Sequence, residues 1–253
     1  MTARPRRSVL ACAIFAASVT GALAGCSSSD TPLTPTTAAS ATTTAAVPTT
    51  GVKPSSTPES ERTLFDAVDR NDPAAVTAAL TAGANIEARG EGERTPLVEA
   101  TKNNAVAAAS TLILAGADVN AKDSMQDSAF LYSGAEGLNE ILALTLSHGA
   151  DVDSVNRYGG TALIPASEHA HVETVRMLIA AGVPVNHVND PGWTALLEAV
   201  VYGDGSARYV DVITQLLDAG ADPSIRDASG KTALDNAESR GQSDVVALLQ
   251  SRS

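Results

Sequence analysis

Residues 160–190 read GTALIPASEHAHVETVRMLIAAGVPVNHVND, and the reading of this stretch decides the architecture of the rest. Thr161 is a good N-cap for a short helix over residues 162–169, because its hydroxyl can accept an N–H that the first turn leaves unpaired. Pro165 falls in that first turn, where it forfeits at most one backbone bond and bends the helix locally. Ala170 and His171 make a turn. Residues 172–181 predict a second helix, with Val175, Leu178 and Ile179 on one face at spacings of three and four. Gly182 ends it by admitting a left-handed backbone, and residues 183–192 extend outward as a loop. Helices this short are marginal in water, so the unit must bury its apolar face against neighbours.

The neighbours are visible as a repeat. Gly-Ala-Asn/Asp occurs at Gly83, Gly116, Gly149 and Gly220, with Gly182-Val183-Pro184 in the remaining slot, and the glycines lie 33, 33, 33 and 38 residues apart. A second marker agrees with the first. Thr95-Pro96-Leu97, Ser128-Ala129-Phe130, Thr161-Ala162-Leu163, Thr194-Ala195-Leu196 and Thr232-Ala233-Leu234 are also spaced 33, 33, 33 and 38. One period and one shared five-residue insertion predict an all-α repeat solenoid.

These features resemble ankyrin repeats, with their Thr-Pro-Leu start, paired antiparallel helices, Gly-Ala-Asp and hairpin loop. The resemblance covers residues 61–251 in six units: 61–93, 94–126, 127–159, 160–192, 193–230 and 231–251. The first unit lacks the Thr-Pro pair, and its Leu64-Phe65-Asp66-Ala67 is similar to an N-terminal cap; the last stops after Leu248-Leu249, as a C-terminal cap would. No unit keeps the histidine that the family places after the Leu. Val98, Leu131, Ile164, Leu197 and Asp235 occupy that slot, which implies a lost hydrogen-bond network and lower stability than an ideal array. Residues 157–166, 192–199 and 202–205 are similar to a group of small bacterial ankyrin-repeat proteins without an agreed activity.

The remaining N-terminal part has a different composition. Arg4, Arg6 and Arg7 precede a run from Val9 to Ala24 that is apolar or small and short for a membrane span, which predicts an export signal. Leu23-Ala24-Gly25-Cys26 resembles the lipobox of bacterial lipoproteins, which implies a diacylglycerol on the Cys26 thiol and cleavage before it. Two or three acyl chains suffice for stable anchoring. An ordinary secretory leader with an incidental cysteine is the alternative. Arg6-Arg7-Ser8-Val9-Leu10 also resembles a twin-arginine signal, so the export route stays open. Residues 27–60 are Ser, Thr, Ala and Pro with few large apolar side chains, which predicts a disordered spacer. It would hold the domain on the order of 30 Å from the membrane. The expected organisation is a signal at 1–25, a lipidated cysteine and linker at 26–60, and the repeat domain at 61–253.

Charge and composition narrow the functions. The chain has 17 basic and 29 acidic residues, a net charge of −12, and no adjacent basic pair beyond Arg6-Arg7. Removal of residues 1–25 would leave 14 basic residues against 29 acidic ones, a net charge of −15. Such a chain has no patch to neutralise a phosphate backbone, so nucleic acid is not an expected partner. The two cysteines, Cys12 and Cys26, lie outside the repeats, so the domain has neither disulfide nor thiolate chemistry. His169 and His171 stand two apart at a helix end, a poor spacing for a metal, and no cofactor or metal is expected. Gly90-Glu91-Gly92 and Gly203-Asp204-Gly205 lack the helix motif of a phosphate loop. No nucleophile, base and orienting group converge, so catalysis is not expected.

A binding surface is easier to motivate. The residue before the conserved Ala of each first helix faces the concave groove in an ankyrin stack, and here these are Asp66, Glu99, Tyr132, Pro165, Glu198 and Asn236. Tyr132, Tyr158, Trp193, Tyr202 and Tyr209 all fall in units three to five, with Tyr158 and Trp193 at successive hairpin tips. Tyr and Trp are enriched at binding hot spots. The expected site therefore comprises Tyr132, Tyr158, Trp193 and Tyr202 as anchors, with Glu99, Glu168, Glu198 and Asp204 favouring a partner with a basic patch. The same rings packed on one another or over the insertion is the structural alternative. The expectation is a monomeric, membrane-tethered protein-interaction module on the extracytoplasmic face of a bacterial cell membrane. A scaffold or chaperone-like support for an exported enzyme is the second class, and a hydrolase acting at the insertion loop the third.

Overall fold

A computed structural model describes residues 55–252, and within them every regular element is helical. Cys26, the leader and residues 27–54 of the linker lie outside the described residues. Twelve α-helices form six pairs: α1 (Pro58–Asp69) with α2 (Pro73–Thr81), α3 (Pro96–Lys102) with α4 (Val106–Leu114), and α5 (Ala129–Ala135) with α6 (Asn139–Ser147). The later pairs are α7 (Leu163–Glu168) with α8 (Val172–Ala180), α9 (Ala195–Val201) with α10 (Ala207–Asp218), and α11 (Ala233–Ser239) with α12 (Ser243–Gln250). Odd-numbered helices stack on odd ones and even on even, which gives two layers with hairpin loops projecting from one edge.

The caps follow the sequence markers with one exception. Thr95, Ser128, Thr194 and Thr232 each accept a backbone N–H of their own first turn at 3.1–3.2 Å, as from Val98 and Leu197. Thr161 does not cap, contrary to expectation, and α7 begins two residues after it. The reason is Pro165. In the other four units the cap carbonyl accepts the N–H four residues on, as Thr194 does from Glu198 at 3.0 Å. Proline has no such N–H, so the Thr161 carbonyl takes the Ile164 N–H instead at 3.2 Å. The Thr161 hydroxyl thereby loses its donor, and it is buried without a partner.

Helix α1 starts at Pro58, inside the stretch that the sequence assigns to the linker. Thr57 and Ser60 form a reciprocal capping box there and Pro58 supplies the first turn, so local chemistry extends the domain by three residues. The second helices end at Gly83, Gly116, Gly149, Gly182 and Gly220, all with φ between +84° and +97°. The core is aliphatic and falls into two clusters: Leu64 and Leu97 are fully buried in one, and Leu163, Leu178, Leu196 and Leu216 are fully or almost fully buried with Phe130 in the other. The slot without the family histidine is also core. Val98, Leu131, Ile164 and Leu197 are 1–3 % exposed, and burying such a side chain contributes about 1.5–3 kcal/mol, which offsets the expected loss of hydrogen bonds.

The five-residue insertion divides between a turn two residues longer and a helix α10 three residues longer than α8. It is sewn to both neighbours. The Tyr209 hydroxyl donates to the Glu168 carbonyl at 2.9 Å, Arg208 donates to the carbonyls of His169 and Ala170, and Gln242 donates to those of Val200 and Gly203.

Candidate functional site

Helices α5, α7 and α9, with the hairpins before and after them, enclose a cleft of about 540 Å³. Its position follows from a third recurring marker in the sequence. Asp123, Asn156, Asn189 and Asp227 recur at spacings of 33, 33 and 38, and each carboxyl or amide oxygen accepts backbone N–H groups of its own hairpin. These Asx turns fix the tips relative to the helices. Two of them also reach the groove floor nine residues on: Asn189 Nδ2 donates to Glu198 Oε1 at 3.1 Å, and Asn236 Nδ2 donates to Asp227 Oδ2 at 2.9 Å. The same spacing rule applied to Asx residues would have found them.

Six of the eight expected site residues meet in this cleft: Tyr132, Tyr158, Glu168, Trp193, Glu198 and Tyr202. Trp193 is half-buried and its ring lies 6.3 Å from that of Tyr202, so these two rings do pack on one another, while Tyr202 and Tyr158 remain 56 % and 53 % exposed. The Arg157 guanidinium sits 4.6 Å from the Tyr158 ring and the Lys102 ammonium 4.4 Å from the Tyr132 ring. Lys102 is already neutralised, by Asp127 at 2.8 Å and Asp123 at 3.2 Å.

The other wall is acidic. Glu198 is 8 % exposed, on the first turn of a capped helix, with Glu168 beside it and Glu136 at the rim. Burial and the neighbouring Glu168 carboxylate push the Glu198 carboxyl up to about 7. Among the described residues, Glu136, Glu168 and Glu198 form no ion pair. The cleft thus joins exposed aromatic area to carboxylates without a cation.

Glu99 and Asp204 stand outside the cleft. Glu99 is paired with Arg94 at 3.1 Å in unit two, and Asp204 accepts the Ser206 N–H at 2.9 Å at the start of the insertion. The histidines are used locally: His148 Nδ1 bonds the Leu144 carbonyl at 2.8 Å, His187 bonds that of Gly159, and His171 packs against Gly137. Burial, His169 and Arg208 hold the His171 imidazole below its usual value.

The family model for ankyrin repeats in three copies matches residues 130–227, and the single-repeat model matches residues 92–124. The chain belongs to the ankyrin-repeat family. It is similar to the crystal structure of an ankyrin repeat domain from Acinetobacter baumannii AYE at 52% identity, covering 75% of this chain and 96% of that one with a TM-score of 0.73. It is also similar to the crystal structure of the ankyrin repeat protein EF0377, at 39% identity over 75% of this chain and 97% of that one, with a TM-score of 0.72. Ankyrin repeats generally mediate protein–protein interaction and are generally non-catalytic.

Proposed function

We propose that this ankyrin-repeat protein is a lipid-anchored adaptor of the bacterial cell envelope, which docks another envelope protein in the cleft of units three to five. The observation that carries the reading is the cleft itself, where four aromatic side chains adjoin Glu168 and Glu198. Large rings in a concave site bury area at low entropic cost, and the acidic wall selects a partner with a basic patch. Asp204 adds long-range attraction from outside the cleft, whereas the charge of Glu99 is already matched by Arg94. Cys26 carries the acyl anchor and the Ser/Thr/Pro stretch after it is the spacer, which places the domain on the extracytoplasmic face of the membrane.

Two experiments test the two halves of this reading. Cys26→Ser should abolish incorporation of labelled fatty acid; a variant that takes up the label as the native protein does would remove the anchor. In-cell cross-linking with the tagged full chain should recover one envelope protein that the folded Tyr158→Ala/Trp193→Ala variant does not. Equal recovery by both would reject the cleft as the docking site.

A further inference from the structure

The chemistry of the acidic wall goes one step further, resting on the reading that the cleft docks a protein. We propose that Glu168 and Glu198 together receive one arginine side chain of the partner, beside the rings of Trp193 and Tyr202.

Glu198 is the most deeply buried carboxyl of the cleft, held by a hydrogen bond from Asn189 on one side and by the Glu168 carboxyl on the other. Asn189 also accepts the Trp193 backbone N–H at 2.7 Å, so one buried amide sets both the carboxyl and the ring-bearing residue next to it. Charged groups on the helices packed against α9 do not neutralise the pair. Arg208 of α10 is committed to the carbonyls of His169 and Ala170, and Asp235 of α11 to Thr232 and Arg226; of the cations that line the cleft, Lys102 is held by Asp123 and Asp127 and Arg157 lies over the Tyr158 ring.

Burial and the neighbouring Glu168 carboxylate push the Glu198 carboxyl up to about 7, so below that pH the empty cleft holds a proton on Glu198. An arriving guanidinium supplies the neutralising charge in its place. The Glu198 O–H bond gives its proton to a buffer base and keeps its electron pair on the carboxylate, no other bond breaks, and the guanidinium N–H groups donate to both carboxylates. Guanidinium suits the place better than ammonium. Its planar fork matches two carboxylates, it is weakly hydrated, and its face stacks on aromatic rings. The chain's net charge of −12 draws such a segment in.

Trp193 is the only tryptophan, so its fluorescence reports directly on the site. The full-length protein in detergent is titrated with acetyl-Gly-Arg-Gly-amide, with the citrulline and lysine peptides beside it, at several pH values. The arginine peptide should give a saturable change that strengthens from about pH 5.5 to about pH 8, and the neutral citrulline peptide should bind at least about tenfold more weakly. Glu198→Gln, and independently the half-exposed Glu168→Gln should the first not fold, should lose that preference and its pH dependence. Calorimetry in buffers of different ionisation enthalpy should show proton release in the native protein only. Equal binding of the arginine and citrulline peptides, equal binding of arginine and lysine, or no response at pH 8 would each overturn the proposal. If cross-linked capture still depended on Tyr158 and Trp193 in that case, the docking cleft would stand and only the arginine receptor would fall.

Discussion

Units four and five share one plan and differ in how they hold it. Unit five has a capped first helix, with Thr194 bonded to the Leu197 N–H, and uses its groove position for a buried acid, Glu198. Unit four has Pro165 at that position, an uncapped α7, an unpartnered Thr161 hydroxyl, and Ala170 in the left-handed region at φ +48°, where Asn71, Asn104, Gly137, Gly205 and Gly241 serve the other pairs. A non-glycine residue there costs about 1–2 kcal/mol. The insertion of unit five bonds to the carbonyls of residues 168–170, at the end of α7 and in this turn. A unit that departs from the rules is therefore braced by the added residues of its neighbour, and the cleft lies across the pair.

The brace is the place to break this arrangement with the largest effect. A Cβ at Gly203 would lie 2.2 Å from the Ala199 carbonyl oxygen and 2.7 Å from the Tyr209 ring, so Gly203→Ala should cost about 3 kcal/mol in denaturant unfolding. Gly182→Ala, with φ +88° and open space around it, should cost only about 1 kcal/mol. Equal losses would show that the insertion does not pack as described.

Next comes the buried acid of unit five. Its folded-state value of about 7 lies above the ordinary 4.5, so the native state keeps a proton that the unfolded chain gives up between those pH values. Its contribution is whole below about 4.5 and is lost as pH rises through 7. Glu198→Gln should therefore gain about 2 kcal/mol of stability relative to the native protein between about pH 5 and pH 8, measured by urea unfolding across pH. A pH-independent difference would place Glu198 in water.

The cap contrast is smaller and sharper. Thr194→Ala should cost about 1.5 kcal/mol, whereas Thr161→Ala should change stability by less than about 0.5 kcal/mol. In a Pro165→Ala background, with the 165 N–H restored, Thr161→Ala should cost about 1 kcal/mol, a coupling that a double-mutant cycle reads directly. Smallest of all, Arg208→Ala should cost about 1 kcal/mol or less and speed hydrogen exchange in residues 168–172 more than in residues 135–139.

Much of this was legible because repeat chemistry is local. A left-handed backbone needs glycine after each second helix, and a first turn needs a hydroxyl before it, so both recur in register. The failure of the Thr161 cap was not legible from Thr161, since its cause sits four residues on, in the missing N–H of Pro165. The division of the insertion between turn and helix depends on partners 38 to 42 residues away, which no local pattern records. Six of the expected site residues share the cleft because the first helices and the hairpin tips of units three to five line it together; among them only Tyr132 and Glu198 occupy equivalent repeat positions. Glu99 fell outside because Arg94 holds it in unit two, and Asp204 because it serves its own turn.

The most direct test of the docking cleft is site-specific photo-cross-linking in intact cells, with p-benzoylphenylalanine at position 158 in the cleft and at position 114, where Leu114 is 70 % exposed in unit two. Position 158 should yield one discrete adduct with an envelope protein and position 114 none. The same adduct from both positions, or from 114 alone, would contradict the assignment of the cleft as the docking site.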